Sequence, residues 1–379
     1  TVAILAQAIA GADSIPTAGE GLRDVFPLSA CVMMPFCRCS WKRCCTCTAG
    51  LIAVVLALGR DLLYYALLLD CRAPEPLLGV PDGGGQDLAT IHVAYSTDSK
   101  NFIGLLASMV SLSLHLQSPG SCIIHLFVAP ADMDRARHLP DCLRRELPSL
   151  ASWPSVQLHD LRPLAFDFGA AFNGSVFRSN FLKVPQALVR LYLHEYLPQV
   201  PRVVWLDHDT ILKADVGQLY RMRMSYALAA GWDASRWILL RHVLGNCGLE
   251  ETAIPAPLRD LSRFNSGVLV FDLDRWRSGA ITRSIQGWLQ ATSGCDGDQL
   301  LLNLQFGHDF DDIGWRWNVL GFNSVTFGSY LRDMPRRCIE GAHLFHWNGD
   351  GKPWNRSRDT PHKELWEPYA PRMQCDALT

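Results

Sequence analysis

Five pairs of aspartates with Asp-x-Asp spacing occur in this chain of 379 residues, and their sequence contexts differ. The pairs are Asp132/Asp134, Asp207/Asp209, Asp272/Asp274, Asp296/Asp298 and Asp309/Asp311. Only Asp207 and Asp209 follow a buried apolar run, Val203–Leu206, and precede the extended run Thr210–Leu212 rather than a loop. In extended backbone, residues i and i+2 point to the same face, so these two carboxylates should converge at the end of a strand.

Two close carboxylates repel unless a cation lies between them, and oxygen ligands favour Mg²⁺ or Mn²⁺ over Zn²⁺. We therefore predict a divalent metal site at Asp207 and Asp209. The alternative is structural, with one aspartate in a cap or turn and the other at the surface. We assign that role to the Asp272/Asp274 pair, since a helical stretch with Trp276 follows, and predict that Asp274 caps this helix.

A second cluster of chemically useful residues spans His346 to Trp354. An imidazole next to carboxylate oxygens shifts the metal preference toward Mn²⁺. Gly349 and Gly351 would let the backbone approach a phosphate, and Lys352 adds a compact positive charge. Trp347 and Trp354 offer flat apolar surfaces of the kind on which sugar rings stack. A histidine beside a strand is usually a packing residue, but the Gly-Lys-Pro-Trp context favours a binding role.

Short apolar runs alternate with helical patterns in the part of the chain that carries these residues. Strands are predicted at Ile91–Tyr95, Cys122–Val128, 156–161 and Val203–Leu206, and helices at Phe102–Leu116, Asp132–Leu147 and Pro185–Leu197. This alternation predicts an α/β fold with a mainly parallel sheet between two helical layers. Such sheets bind ligands at the carboxyl ends of their strands.

The front of the chain differs from the rest. We expect an N-terminal cytosolic or disordered segment at 1–43, a signal-anchor helix at 44–69 and a Pro/Gly-rich linker at 70–88, before a catalytic domain at 89–370 and a tail at 371–379. Arg60 and Asp61 interrupt the apolar run of the anchor. A cleaved signal peptide and a buried amphipathic helix are therefore the alternatives.

Composition excludes several classes of protein. With 35 Lys and Arg against 37 Asp and Glu, the net charge of −2 gives no general attraction for nucleic acid, so a bound nucleotide should be a small one in a dedicated site. Six of the 13 cysteines lie between Cys31 and Cys47 without zinc-module spacing and are candidates for palmitoylation. The remaining seven are scattered, and the sequence does not pair them. Two Asn-x-Ser sequons, at Asn173 and Asn355, fit a lumenal chain.

Four ordered motifs resemble glycosyltransferase family 8, which includes glycogenin, bacterial lipopolysaccharide galactosyltransferases and plant galacturonosyltransferases. The motifs are Asp207-His208-Asp209 after a Trp-Leu strand end, Phe264-Asn265-Ser266-Gly267-Val268, Gly297-Asp298-Gln299, and His346 with Lys352-Pro353-Trp354. The resemblance covers about 91–370. It implies the nucleotide-diphospho-sugar transferase fold of the GT-A type and a retaining transferase that uses a UDP-sugar and Mn²⁺ (or Mg²⁺).

The resemblance also implies roles for individual residues. The implied metal ligands are Asp207, Asp209 and His346. The implied donor-binding residues are Ala94, Thr97 and Asp98 near uridine, Arg190 at the donor sugar, Asp207 and His208, and Gly349 and Lys352 at the diphosphate. Asn265, Asp298 and Gln299 are implied as catalytic residues that line the sugar. Together with the predicted anchor, these features imply a type II Golgi membrane protein with a lumenal catalytic domain and a glycan or glycoprotein acceptor. The lumen of another compartment of the secretory pathway is the alternative location.

Some features leave the donor sugar open among glucose, galactose and galacturonate. The segment Trp315–Gly321 and the ending at His346 resemble galacturonosyltransferase-like members, which generally lack the Asp298-Gln299 pair. The segment between Thr97 and Phe102 carries one extra residue relative to the family pattern. Galacturonate would need a cation near C6, for which Arg178 and Lys183 are candidates.

Retention of configuration requires a covalent intermediate or attack from the face of the leaving group. Gln299 occupies the nucleophile position of the family pattern, and its neutral amide favours front-face attack, with a UDP oxygen taking the acceptor proton. Three other functions remain open: a nucleotidyltransferase, an inactive glycan-binding module, and a self-glucosylating enzyme. The last would use a tyrosine acceptor, for which Tyr192, Tyr196 and Tyr220 are candidates.

Overall fold

The structure, a computed structural model, describes residues 71, 76, 78, 90–161, 185–233, 239–250, 252, 254–292, 296–320, 322, 334–349, 351–355 and 360–378. All described residues belong to one compact unit within Leu58–Thr379. The predicted segment 1–43, the anchor 44–69, most of the linker and the candidates Arg178 and Lys183 lie outside the described residues. Within the described ranges, no helix is both long and apolar enough to cross a membrane.

A seven-stranded sheet forms the centre of the domain, with strand order β3-β2-β1-β4-β7-β6-β8, and β5 pairs with β9 in a second sheet. The strands are β1 Ile91–Ser96, β2 Cys122–Val128, β3 Ser155–Asp160, β4 Arg202–Leu206, β5 Thr210–Leu212, β6 Leu228–Trp232, β7 Phe264–Asp272, β8 Asp311–Asp312 and β9 Leu344–His346. In the large sheet only β7 runs against its neighbours, β4 and β6. The mainly parallel sheet that the sequence predicts is thereby confirmed.

Helices cover both faces of this sheet. They are α1 Phe102–His115, α2 Met133–Ala136, α3 Leu139–Glu146, α4 Pro185–Leu188, α5 Leu193–Tyr196, α6 Gly217–Tyr220, α7 Leu240–Asn246, α8 Ala256–Arg259, α9 Leu273–Ser278, α10 Ile281–Thr292, α11 Gly297–Phe306 and α12 Arg336–Gly341. Val93 and Tyr95 of β1 belong to the core cluster that contains α1, whereas Ala94 belongs to the cluster that contains α9, α10 and α11. Because successive strand residues face opposite sides, this division shows three layers.

Two predicted helices are shorter and more irregular than the sequence pattern suggests. The stretch 132–147 forms α2 and α3, separated before Pro140, which has no N–H and is tolerated in the first turn of α3. The stretch 185–197 forms α4, a 3₁₀ turn at Val189–Tyr192 and α5. The apolar positions are as expected, and only the continuity of the helices is lost.

The prediction that Asp274 caps a helix is wrong. Helix α9 begins two residues earlier than assumed, and the carboxylate of Asp272 accepts a hydrogen bond from the Arg275 amide at 3.0 Å. Asp274 lies in the first helical turn and pairs with Arg277 at 2.8 Å. The pattern located the helix but placed its start two residues too late, because a strand runs directly into the cap.

Disulfides fix both ends of the described chain to the domain. Cys71 is bonded to Cys338, and Cys142 of α3 is bonded to Cys375. The Cys142–Cys375 bond holds the segment predicted as a tail, in which Ala377 is fully buried. Cys247 also forms a disulfide. Disulfides are typical of proteins that mature in an oxidising compartment.

These bonds change the expected behaviour of a truncated protein. The fragment 89–379 contains every predicted site motif, so we expect it to bind UDP, but it lacks Cys71 and thus one disulfide. Loss of a native disulfide costs about 2–5 kcal/mol. Thermal unfolding should therefore show a clearly lower Tm for 89–379 than for 70–379. Cys338→Ser in 70–379 is the control and should lower the Tm to a similar value, whereas equal Tm values for the two fragments would contradict the prediction.

Three histidines form a hydrogen-bonded row across β1, β2 and β3. His92 Nδ1 lies 2.9 Å from His125 Nε2, and His125 Nδ1 lies 3.0 Å from His159 Nε2. Burial and then the neighbouring His159 and His92 lower the pKa of His125 to about 3. Burial also lowers the pKa of His92 and of His159. The row is therefore uncharged at neutral pH.

This row predicts acid sensitivity of the fold. The unfolded histidine has a pKa of about 6.5. Because the folded pKa of His125 is lower, the unfolded state binds its proton first, and stability is lost as the pH falls below about 6.5. His125 alone would contribute a slope of about 1.4 kcal/mol per pH unit. Urea unfolding between pH 7 and pH 5 should show a shallower slope for His125→Gln than for the parent protein. An equal slope for His125→Gln and the parent protein would contradict the prediction.

Candidate active site

Polar residues gather at one edge of the large sheet. The strands β1, β4 and β6 are mutually parallel, so Thr97, Asp207 and Asp233, which follow them, lie at the same edge. Because β7 is antiparallel to β4 and β6, its first residues reach this edge as well, and Gly231 pairs with Asn265. Ligands of such sheets bind at the carboxyl ends of the parallel strands. The loops after β1, β4 and β6 lie at this end, together with the first residues of β7.

The Asp207-His208-Asp209 tripeptide forms the turn between β4 and β5. The two carboxylates thus converge through a turn and not, as the sequence argument assumed, through extended backbone. Strand β5 pairs with β9 so that Thr210 lies opposite His346. Ligand atoms of Asp207, Asp209 and His346 all lie within 4.8 Å of one another.

The tautomer of His346 follows from its hydrogen bonds. Asn318 Nδ2 donates to Asn265 Oδ1 at 3.0 Å, which leaves Asn318 Oδ1 to accept from His346 Nδ1 at 2.9 Å. The Nε2 lone pair of His346 then faces the carboxylates, 3.4 Å from Asp209 Oδ1 and 3.9 Å from Asp207 Oδ2. Fixing a ligating histidine through its other ring nitrogen is a common feature of metal sites.

The residues present fit a divalent cation. Asp209 Oδ1 is buried and has no hydrogen-bond partner among the described residues. A buried carboxylate oxygen without a partner is costly unless a cation binds it. Two carboxylates and one imidazole are a ligand set that suits Mn²⁺ or Mg²⁺.

Lys352 lies beside this cluster. Its Nζ bonds to Asp209 Oδ2 and donates to the Trp347 carbonyl at 2.9 Å. Burial tends to raise the pKa of Asp209, but the positive charge of Lys352 above all holds it well below its usual value. Asp209 is therefore ionised over the whole physiological pH range. Gly349 has a φ of +85° and lies at the surface in the turn that leads from β9 to Lys352.

Arg190 links the metal-ligand cluster to the start of α11. Its guanidinium lies 3.0 Å from Asp207 Oδ1 and 3.2 Å from Asp298 Oδ2, and it donates to the Ser266 carbonyl at 2.6 Å. The same group lies over the Trp205 ring, 4.4 Å from its centroid. Arg190 is held in one place by these contacts.

The three residues predicted to line a sugar are adjacent. Gln299 Oε1 accepts from Asn265 Nδ2 and from the Ser266 amide, both at 3.1 Å, and Gln299 Nε2 donates to Asp233 Oδ2 at 3.2 Å. Burial raises the pKa of Asp298, and Arg190 opposes this shift. These bonds fix the orientation of the Gln299 amide.

The predicted nucleotide-contacting residues have different environments. Ala94 lies within β1 and is fully buried in the core, whereas Thr97 and Asp98 follow the strand end. The hydroxyl of Thr97 is buried without a hydrogen-bond partner among the described residues. Burial lowers the pKa of His208, whose ring lies 5.9 Å from that of Trp354.

Several aromatic predictions are corrected by burial. Trp347 is fully buried against Phe322 and offers no surface for a sugar, while Trp354 is half-buried over Gly104. Of the candidate tyrosine acceptors, Tyr192 and Tyr220 are buried and Tyr196 is half-buried. The sequence does not distinguish these aromatic residues from exposed ones, because only the tertiary structure shows which side chains lie in the core.

Three residues of the site were missed by the sequence analysis. Asp233 follows the apolar strand β6 in the same way as Asp207 follows β4, and this signal was available. Asn318 and Arg263 carry no such signal, because they reach the site through contacts with residues far away in the chain.

The fold is that of GT-A glycosyltransferases. The chain superposes on the crystal structure of the galactosyltransferase LgtC in complex with donor and acceptor sugar analogues with a TM-score of 0.52, at 18% identity, covering 74% of this chain and 95% of that one. The sequence pattern of glycosyl transferase family 8 matches residues 92–358. The chain belongs to this family and is a glycosyltransferase.

Two similar curated proteins are from Arabidopsis thaliana. The probable galacturonosyltransferase-like 9 is 29% identical over 296 residues, which is 75% of this chain and 72% of the relative. The probable galacturonosyltransferase-like 8 is 28% identical over 296 residues, with the same shares of both chains. The family resemblance and the fold class expected from the sequence are thus confirmed.

Proposed function

We propose that this protein is a retaining hexosyl- or hexuronosyltransferase that moves a sugar from a UDP-sugar to a glycan or glycoprotein acceptor with the help of Mn²⁺ (or Mg²⁺). The observation that carries this proposal is the cluster of Asp207, Asp209 and His346 with Lys352 beside it. A cation-binding cluster next to a lysine, at the ligand-binding edge of the sheet, suits a diphosphate.

Asp207, Asp209 and His346 would hold the cation, which when bound supplies positive charge against the developing charge of the UDP leaving group. Lys352 adds a second positive charge at the same end of the site. Stabilisation of charge that develops in the transition state is usually the largest catalytic contribution. Thr97 and Asp98, with Gly349, are the proposed contacts for the rest of the nucleotide.

Arg190, Asn265, Asp298 and Gln299 would orient the sugar next to the diphosphate. The Gln299 amide is held by hydrogen bonds to Asn265, Ser266 and Asp233, and a neutral amide is a poor nucleophile. These features support front-face attack, in which a UDP oxygen takes the acceptor proton. A glycosyl adduct on Gln299 or Asp298, detected by intact-protein mass spectrometry, would overturn this part of the proposal.

The proposed location is the Golgi membrane, with a type II anchor at 44–69 and a lumenal catalytic domain. The disulfides of Cys71 and Cys142 support an oxidising compartment. Expression of the full chain followed by protease protection of sealed Golgi vesicles tests this orientation. Digestion of the catalytic domain in intact vesicles would contradict it.

The function itself is tested by UDP release across a panel of UDP-sugars, with and without Mn²⁺ and with a glycan acceptor. We expect UDP release with at least one donor and its loss on chelation of the metal. Release of pyrophosphate from a nucleoside triphosphate would instead indicate a nucleotidyltransferase. Absence of any UDP binding would contradict the proposal as a whole.

A further inference from the structure

Two arginine–carboxylate systems flank the proposed sugar end of the site. Arg190 lies between Asp207 and Asp298, as described above. Arg263 lies between Asp233 and Asp296, with its Nε 2.7 Å from Asp233 Oδ2 and its Nη1 3.2 Å from Asp296 Oδ2. Gln299 connects the two systems, because it follows Asp298 in α11 and donates to Asp233.

Each guanidinium in these systems is shared by two carboxylates. Because Asp207 also faces the proposed divalent cation, three carboxylates, Asp233, Asp296 and Asp298, remain with the two guanidinium groups at the sugar end. Asp233 and Asp298 are both buried, with side-chain exposures of 8% and 6%, so solvent screens their charges poorly.

The other positive charges near the site have separate partners. Lys352 bonds to Asp209, and the cation proposed at Asp207, Asp209 and His346 would face a diphosphate. The sugar end therefore keeps an excess of negative charge when a donor is bound. A hydroxyl group can donate a hydrogen bond to a carboxylate, whereas an ionised carboxyl group on the sugar cannot and is repelled.

Resting on the function proposed above, we propose that the donor is a neutral sugar and that Asp233 and Asp298 make the site discriminate against hexuronates. The carboxylates are at the same time acceptors for sugar hydroxyls and a charge barrier against acidic sugars. Like-charge repulsion is a common means of excluding a wrong ligand. The names of the galacturonosyltransferase-like relatives point to an acidic sugar, so the proposed preference would distinguish this chain from them.

The test uses two matched donor pairs and the full chain. UDP-galactose and UDP-galacturonate differ only at C6, and so do UDP-glucose and UDP-glucuronate. We expect kcat/KM for UDP release to be at least about tenfold higher for the neutral member of the better pair, a ratio that corresponds to about 1.4 kcal/mol. Equal values, or a preference for the acidic member, would overturn the inference.

A charge-removing variant tests the cause of the preference. Asp233→Asn keeps the shape and a hydrogen-bonding side chain but removes one negative charge, and it should reduce the neutral-to-acidic ratio several-fold. Asp296→Asn provides a second variant should the first fail to fold. Asp274→Asn, on α9, is the matched control and should leave the ratio unchanged. A ratio that Asp233→Asn and Asp296→Asn leave unchanged would contradict the role of these charges.

Binding of UDP alone separates this inference from the proposed function. Calorimetric titration of the full chain with UDP and Mn²⁺ should show binding whichever sugar the site prefers. If UDP binds and acidic donors react faster, the inference about the sugar fails and the proposed function stands. If UDP does not bind, the proposed function fails, and the inference that rests on it fails too.

Discussion

Replacing Asp209 with asparagine should reduce Mn²⁺-dependent UDP release by about a hundredfold or more, which corresponds to about 2.7 kcal/mol of transition-state stabilisation. The substitution keeps the shape of the side chain but removes one of the two charges proposed to hold the cation. In the structure Asp209 also bonds to Lys352, so a single change weakens two interactions around the proposed diphosphate position. Initial rates at saturating Mn²⁺ measure the effect.

Asp274→Asn is the control for this experiment, because Asp274 has the same Asp-x-Asp spacing but lies on α9 and pairs with Arg277 near the surface. Its UDP release should stay within a few-fold of the parent enzyme. Equal losses for the two variants, or a larger loss at Asp274, would show that the wrong aspartate pair was assigned to the cation.

The metal-free stability of Asp209→Asn separates two physical effects. Repulsion between Asp207 and Asp209 alone would predict an unchanged or slightly higher Tm. The structure predicts a lower Tm, because the positive charge of Lys352 above all holds the pKa of Asp209 below its usual value. A group with a lowered folded pKa stabilises the fold above its unfolded pKa, and this contribution is lost when the charge is removed. Thermal unfolding in EDTA at neutral pH decides between these outcomes.

Gly267→Ala should reduce activity almost as strongly without changing any proposed ligand. A Cβ at Gly267 would lie 2.8 Å from His346 Nε2 and even closer to Cε1, so the imidazole would have to move. A displacement of about 1 Å in an active site can cost about a hundredfold in rate. We expect weaker Mn²⁺ binding, measured as the metal concentration needed for half-maximal UDP release, together with a lower maximal rate.

Gly287→Ala is the matched control for this glycine. Gly287 lies within α10, and a Cβ added there would meet no atom within 4 Å. Alanine in place of glycine in a helix stabilises by about 0.5–1 kcal/mol. This variant should keep full activity and show a slightly higher Tm. Normal metal dependence in Gly267→Ala would show that His346 does not need its present position.

Much of the fold is visible in the sequence because its signals are local. The strands around Val93, Ile124 and Val204 are short apolar runs, and the structure places them within one or two residues of their predicted bounds. The Asp207/Asp209 pair is distinguished by its position at the end of such a run, and His346 by the Gly-Lys-Pro-Trp context that follows. Burial of apolar side chains in a pleated backbone produces these patterns directly.

Local signals are weaker at the boundaries of elements. The cap of α9 was assigned to Asp274, although Asp272 makes the bond. Both residues have the same side chain, and only the last paired residue of β7 decides which of them lies at the helix start. For the same reason the sequence did not show that Trp347, which directly follows β9, lies in the core and not at the surface.

The α/β class is visible in the sequence alone, as are the order of the central strands along the chain and the family-specific motifs, since each depends on residues close together in the chain. Tertiary structure decided the antiparallel placement of β7, which brings Asn265 to the edge that carries Asp207 and Asp233. It also decided the disulfide partners and the sharing of Arg263 between Asp233 and Asp296. These features depend on strand direction and on contacts between residues far apart in the chain, for which side-chain type and spacing provide no local signal.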